Sequence, residues 1–184
     1  MTGDQTMTAH LWIEPMRVEH APALFAALDH PDVAASLGDP DAPSVDAVVG
    51  RIEAVTRGPG EGRNERWWNF TVGLRDRREI VLGRLEATTY GDWGEVAYVF
   101  DPRHWGHGYA TEGVEWLIGH LADAGVDELW ACVAPTNERS WKLAERCGFE
   151  RVTEWARPIA SYEDGDVVLR RLSGAAHAGA GTSR

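Results

Sequence analysis

The stretch Arg103-His104-Trp105-Gly106-His107-Gly108-Tyr109-Ala110-Thr111 joins an apolar, strand-like run, Glu95 to Phe100, to a segment of helical periodicity, Tyr109 to Ala124. The first turn of a helix carries backbone N–H groups with no intrahelical partner, and the macrodipole adds partial positive charge there. A strand that enters such a turn through spaced glycines makes a cradle for an anion. Gly106 and Gly108 remove the side chains that would hold a diphosphate off the backbone, and either can take positive φ so that successive N–H groups converge. A dinucleotide fingerprint requires a further glycine where Thr111 stands, and a P-loop requires a Gly-Lys-Ser/Thr triplet; the chain has neither.

Around this loop the periodicities alternate between two and 3.6. Leu11, Ile13 and then Met16 or Val18 read as a first strand, and Pro22 opens an amphipathic segment, Ala23 to Leu28, ending near Asp29-His30-Pro31. Residues between Pro31 and Pro43, rich in Asp, Pro and Gly, read as a connection. Val45, Val48, Val49, Ile52 and Val55 then line one helix face, with Ser44 as N-cap and Gly58-Pro59-Gly60 as stop. Trp67 to Leu74 and Ile80 to Tyr90 alternate as antiparallel partners, and Gly91-Asp92-Trp93-Gly94 turns the chain into Glu95 to Phe100.

Beyond the loop, Ala110, Val114, Leu117, Ile118 and Leu121 share a helix face, and Gly125-Val126 fits a glycine stop. Leu129 to Ala134 reads as a short buried strand and Asn137 to Cys147 as a second helix, with Leu143, Ala144 and Cys147 inward. Strands near Arg151 to Ile159 and Val167 to Leu172 follow. This order predicts an α+β (mixed α/β) fold whose sheet passes from antiparallel to locally parallel, with right-handed crossovers. No repeat or linker divides the chain. We therefore expect a flexible N-terminus over 1–10, one domain over 11–172, and a disordered, Ala-, Gly- and Ser-rich tail over 173–184.

Charge narrows the class of partner. Against 29 acidic residues stand 18 basic ones, a net charge of −11 that repels phosphate backbones and anionic lipid, so neither nucleic acid nor membrane is expected. The polar N-terminus has no apolar leader, which reads as cytoplasmic, and Cys132 and Cys147 read as reduced core residues.

Arg103-x-x-Gly106-x-Gly108-x-Ala110, with Asp101-Pro102 before it and Asn137-x-x-Ser140 and Cys147-Gly148-Phe149 after it, resembles the acyl-CoA-binding core of the GNAT N-acyltransferases. The run from Trp105 to Glu112 is most similar to the branch of ribosomal-protein amino-terminal acetyltransferases, the RimJ/RimL type. The resemblance implies a mixed, mostly antiparallel sheet flanked by helices, whose parallel pair, here Glu95–Phe100 and Leu129–Ala134, splays to admit pantetheine. It implies acyl-CoA, most simply acetyl-CoA, as cosubstrate, held by Val99, Phe100, Arg103, Gly106, His107, Gly108, Tyr109, Ala110, Thr111 and Asn137. It also implies an oxyanion-binding backbone N–H about Val99, a Ser140 hydroxyl near the thioester sulfur as proton donor, and an acceptor pocket walled by the early helices.

Acyl transfer to an amine requires a proton acceptor for the amine and a proton for the departing thiolate. Glu95 shares a strand face with Ala97 and Val99, so its carboxylate can look into the same cleft as a base; a solvated glutamate at a strand start is the other reading. Asn137 and Ser140 share one side of a helix start, and Asn137 serves equally as its N-cap. Arg139, Lys142 and Arg146 form a basic edge, either solvated or meeting a 3′-phosphate. His104 and His107 have no third ligand at metal spacing, and no metal is expected. Trp67, Trp68 and Trp93 read as packing, with cation–π contact open to one that lines the acceptor pocket. The expected activity is direct acyl transfer to a primary amine, on a protein amino-terminus or a small, cationic molecule. The alternative is an acyl-CoA-binding sensory module without turnover. Either form is expected as monomer or homodimer.

Overall fold

The computed structural model describes residues 5–37, 42 and 44–173. Strands β1 (Thr6–Met7) and β2 (Leu11–Pro15) are followed by a 3₁₀ turn and helices α1 (Ala21–Leu28), α2 (Pro31–Leu37) and α3 (Val45–Arg57). An antiparallel meander comes next: β3 (Arg66–Leu74), β4 (Val81–Tyr90) and β5 (Trp93–Phe100). Helix α4 (Tyr109–Asp123), strand β6 (Glu128–Val133), helix α5 (Glu138–Arg146) and strands β7 (Glu150–Val152) and β8 (Val167–Leu172) complete the chain. The strands form one sheet in the order β1-β2-β3-β4-β5-β6-β8-β7, antiparallel throughout except between β5 and β6.

Helix ends follow the local chemistry. The Ser44 hydroxyl accepts from the Ala47 amide at 3.2 Å, and α3 stops at Gly58. Helix α4 closes with Gly125 at φ 85° and the buried Val126, whose amide returns to the Leu121 carbonyl at 3.0 Å. Two layers flank the sheet. Val114, Leu117, Ile118 and Leu121 of α4, with Leu143 and Ala144 of α5, pack on Leu11, Leu85, Val96 and Phe100. Leu24 and Leu28 of α1 and Val48 and Ile52 of α3 pack on the opposite face around Met16 and Val99. Gly113 lets α4 lie close on β5, since a Cβ there would stand 3.1 Å from the Phe100 ring.

Three stretches differ from the sequence reading. The terminus expected to be loose over 1–10 contributes β1, with Thr6 paired to Ile13 and Met7 to Trp12. Thr8 and His10 are tied to α4 through the Glu112 carboxylate, which the His10 amide and its Nδ1 each meet at 2.8 Å. The connection after Pro31 opens as a helix, because Pro at its first position suits a helix start and Val33 anchors it in the core. The strand expected over Arg151 to Ile159 ends at Val152. From there the chain leaves the sheet, Pro158 offers no ladder donor, and Trp155 and Ile159 pack around Trp93, Trp130 and Val168. The tail expected to be disordered lies, beyond Ser173, outside the described residues.

Candidate active site

β5 and β6 pair in parallel at Trp93 with Glu128, Gly94 with Leu129 and Glu95 with Trp130, and diverge beyond. Two cavities open along the freed part of β5. The first, about 420 Å³, is lined by Tyr98, Val99 and Phe100 on β5, by the loop and first turn of α4, and by Asn137, Ser140 and Arg146 on the α5 side. The second, about 400 Å³, takes the preceding residues of the same strand, Glu95, Val96 and Ala97. The two linings follow one another along the strand, changing between Ala97 and Tyr98.

The loop into α4 is built by Asp101. Its carboxylate accepts from the Arg103 amide at 2.9 Å and from Arg103 Nε at 2.8 Å, which fixes a 3₁₀ turn over Pro102–His104. The Trp105 indole N–H donates to the Phe100 carbonyl at 2.9 Å and folds the loop back over the end of β5. Gly106 and Gly108 then take φ of 81° and 82°. The first backbone bond of α4 runs from the Glu112 amide to the Gly108 carbonyl, so the amides of Tyr109, Ala110 and Thr111 precede the helical ladder. Arg139 stacks over the Trp105 ring at 4.2 Å and lines the same cavity.

Gly106, Gly108, Tyr109, Ala110, Thr111, Val99, Phe100, Asn137 and Ser140 are thus gathered around the first cavity. Arg103 and His107 are not on its lining. The Arg103 guanidinium is held by Asp101 and the Ala26 carbonyl, while His107 Nδ1 faces the Trp105 carbonyl at 2.9 Å and its ring stacks on Tyr109. His104 Nδ1 lies 3.2 Å from Asp101. Among the described residues no group of three or more His, Cys, Asp or Glu could hold a metal, and no helix is long and apolar enough to cross a membrane.

The amides about Val99, where the resemblance implies an oxyanion donor, differ in direction. The Asp101 amide donates to Leu82 of β4 at 2.7 Å, and the alternation of an antiparallel ladder then turns the Val99 amide onto Arg84 and the Tyr98 amide into the gap. Tyr98 was not singled out from sequence. Its hydroxyl donates to the Ser140 carbonyl at 2.8 Å, and Ser140 Oγ donates back to it at 3.2 Å. Burial pushes the Tyr98 hydroxyl up to about 12, so it stays a proton donor near neutrality. Asn137 is both N-cap and cavity wall: its Oδ1 accepts from the Ser140 amide at 3.2 Å and its Nδ2 reaches the Ser36 carbonyl at the end of α2.

The floor of the second cavity is set by register. Asn69, Glu86 and Ala97 form one cross-strand row, and Trp67, Thr88 and Glu95 the next. Arg51 and Val55 of α3 wall one side; Ala160 and Ser161, from the segment that left the sheet after Val152, wall the other. Glu95 is buried, and its two oxygens accept from the Ala160 and Ser161 amides at 3.0 and 2.8 Å. Burial works to raise the Glu86 carboxyl, yet the Arg84 and Arg51 charges outweigh it and hold Glu86 below its ordinary value. Trp67 lines this cavity, whereas Trp68 and Trp93 are buried packing residues.

A sheet that opens along its one parallel pair, with an amide cradle on one side and a carboxylate-bearing cavity on the other, defines a class of enzymes that move an acetyl group from a CoA thioester. The chain belongs to the GNAT acetyltransferases, the acetyltransferase (GNAT) domain matching residues 10–150. It is 33% identical over 114 residues to YkkB of Bacillus subtilis strain 168, which covers 55% of this chain and 64%, just under two thirds, of that relative. To the N-acetyltransferase YoaA of the same organism it is 24% identical over 147 residues, 78% of this chain and 81% of YoaA. Its fold is similar to the structure of a putative ribosomal-protein-serine acetyltransferase from Vibrio cholerae, with a TM-score of 0.71 at 21% identity over 94% of this chain and 99% of the other.

The cradle fits the CoA that this family employs. Among the described residues, none beyond the chain neighbours of Gly106 or Gly108 comes within 4 Å of where a Cβ there would stand, which leaves the loop before the Tyr109, Ala110 and Thr111 amides open to a diphosphate.

Proposed function

We propose that the protein transfers an acetyl group from acetyl-CoA directly to a primary amine held in the second cavity. One observation carries the reading: the two cavities occupy consecutive residues of β5 where its parallel pairing ends, so a thioester in one and an amine in the other meet across Ala97 and Tyr98. Bound acetyl-CoA supplies the activated acyl carbon. The Tyr109, Ala110 and Thr111 amides hold the diphosphate, with Arg139 and Arg146 beside it, and Asn137 holds a pantetheine amide.

In the reaction a C–N bond forms and the C–S bond breaks. Glu95, directly or through water, takes the proton of the amine; its two N–H partners use only part of its four lone-pair sites. The Tyr98 amide faces the thioester oxygen as charge develops, and the Ser140–Tyr98 hydroxyl pair returns a proton to the thiolate. The likeness of the Trp105–Glu112 run to the RimJ/RimL branch, together with the fold shared with the Vibrio cholerae structure, supports placing the chain near that branch.

The test is Glu95→Gln, assayed by release of CoA thiol over an amine panel. With CoA affinity unchanged, kcat should fall by roughly 10²-fold, the scale of general-base loss. Full kcat from about pH 6 to 9 would remove Glu95 from proton transfer, and absence of thiol release from the parent enzyme with every amine would favour a binding module.

A further inference from the structure

The overall charge of −11 suggests a polycationic acceptor, but the second cavity is not uniformly acidic. Of its two carboxylates, Glu86 is divided between guanidiniums: Arg51 Nη2 meets its oxygens at 2.9 and 3.1 Å, and Arg84 Nε meets one of them at 3.1 Å. That charge is committed to arginine. Glu95, by contrast, has the Ala160 and Ser161 amides and the Tyr90 hydroxyl beside it and, among the described residues, no cationic partner. It is buried and lines the same cavity.

Arg51 lines the same cavity with its side chain 41% exposed, and both of its hydrogen bonds come from one nitrogen. The other two nitrogens of the guanidinium have no hydrogen-bond partner among the described residues. A cation and an anion therefore stand on opposite sides of one small floor. The pairing keeps them close: Glu86, which holds Arg51, is opposite Ala97 on β5, and Glu95 is the diagonal neighbour of Glu86, about 7–8 Å from it along the floor. An α-amino acid carries its ammonium and its carboxylate on one carbon and so offers one charge to each. Val55 and the Trp67 ring supply an apolar wall beside it.

We propose that the amine acceptor is a zwitterion of the α-amino-acid class with an apolar side chain, its ammonium on Glu95 and its carboxylate on Arg51. This rests on reading the second cavity as the acceptor site. It deepens that reading by making Arg51 a specificity residue. The ammonium end lies beside the strand position where one lining gives way to the other, which puts the nucleophile toward the thioester. The carboxylate end lies toward α3, away from the chemistry. A polyamine places a second cation against Arg51, and a peptide amino-terminus offers that guanidinium a neutral amide.

The experiment compares leucine, methionine and phenylalanine with their amides and with the amines lacking the carboxylate, alongside spermidine. Acetyl-CoA is saturating, and parent, Arg51→Gln and Arg51→Lys enzymes are used. In the parent, kcat/KM for the free amino acids should exceed that for amides and simple amines by about tenfold or more, the loss of a charge-assisted hydrogen bond. In Arg51→Gln that preference should collapse through KM with kcat held, Arg51→Lys should restore part of it, and CoA affinity should stay at the parent value in both. Equal or faster turnover of the amides, the simple amines or spermidine by the parent would overturn the zwitterion while leaving the transferase intact. So would a preference that survives in Arg51→Gln. Turnover of no amine at all, with acetyl-CoA bound, would sink both readings.

Discussion

Replacing Gly108 with valine separates cosubstrate binding from folding. Gly108 sits at φ 82° and ψ −6°, just before α4, and nothing lies within 4 Å of a Cβ built on it. A Cβ there meets nothing beyond its chain neighbours among the described residues. The cost to the fold is that of left-handed backbone, about 1–2 kcal/mol and toward the upper end for a β-branched residue. Against the roughly 5–15 kcal/mol that holds a domain of this kind together, the variant remains folded.

Binding is affected differently, because the open space is the cradle itself. The valine methyls stand between a diphosphate and the Tyr109, Ala110 and Thr111 amides. Losing two N–H bonds to a charged oxygen, at about 1.5–3 kcal/mol each, weakens CoA by roughly 10²- to 10⁴-fold. Isothermal titration with CoA measures this, with a thermal melt on the same preparation to establish folding. A melting midpoint near the parent's together with a CoA dissociation constant within about threefold of it would refute the cradle.

Asn137→Ala should weaken CoA by about 1 kcal/mol through loss of one neutral hydrogen bond, read by the same titration, while Ser140→Ala should lower kcat by less than Glu95→Gln does, because water partly replaces the donor. A Ser140→Ala enzyme with unchanged kcat excludes the hydroxyl from protonating the thiolate. His20 predicts a pH effect on stability. Its Nδ1 accepts from the Arg17 amide and faces Thr71 Oγ1, its Nε2 faces Glu14, and burial, only partly offset by Glu14, lowers its pKa below the ordinary 6.5. The unfolded chain therefore takes up the proton first, and stability, full above about pH 6.5, should fall as pH drops from there through the folded value. Thermal melts from pH 7.5 to 5 should show this slope in the parent and a shallower one in His20→Asn; equal slopes would contradict it.

What could be read from the sequence was local. The Gly106-x-Gly108 loop, the α3 and α4 boundaries and the Asn137 cap each follow from a few adjacent residues, and period-two alternation was enough to put Glu95 on the face of Ala97. Residues whose meaning depends on register were invisible. Glu86 shares a cavity floor with Glu95 only because β4 and β5 pair as Glu86 with Ala97 and Thr88 with Glu95, Arg51 reaches Glu86 across 35 positions, and Tyr98 finds Ser140 across 42. The segment after Val152 was misread for a related reason. Its apolar residues serve a small separate cluster, and its Ala160 and Ser161 amides close the far wall of a cavity that no local pattern announces.

The divergence of β5 from β6 also divides the molecule's cooperativity. Eight residue pairs join β4 to β5 and six join β6 to β8, but only three join β5 to β6. The sheet thus has a seam between β1–β5 and β6–β8, bridged mainly by helix packing, and such a seam is where sub-global opening costs least. On the proposed reading, an extended cosubstrate arm lying in the opening would supply the missing strand of hydrogen bonds and link the two halves. Amides on both sides of the seam would then exchange with solvent together rather than independently, and the saturating cosubstrate would be a structural member of the sheet as well as a reactant.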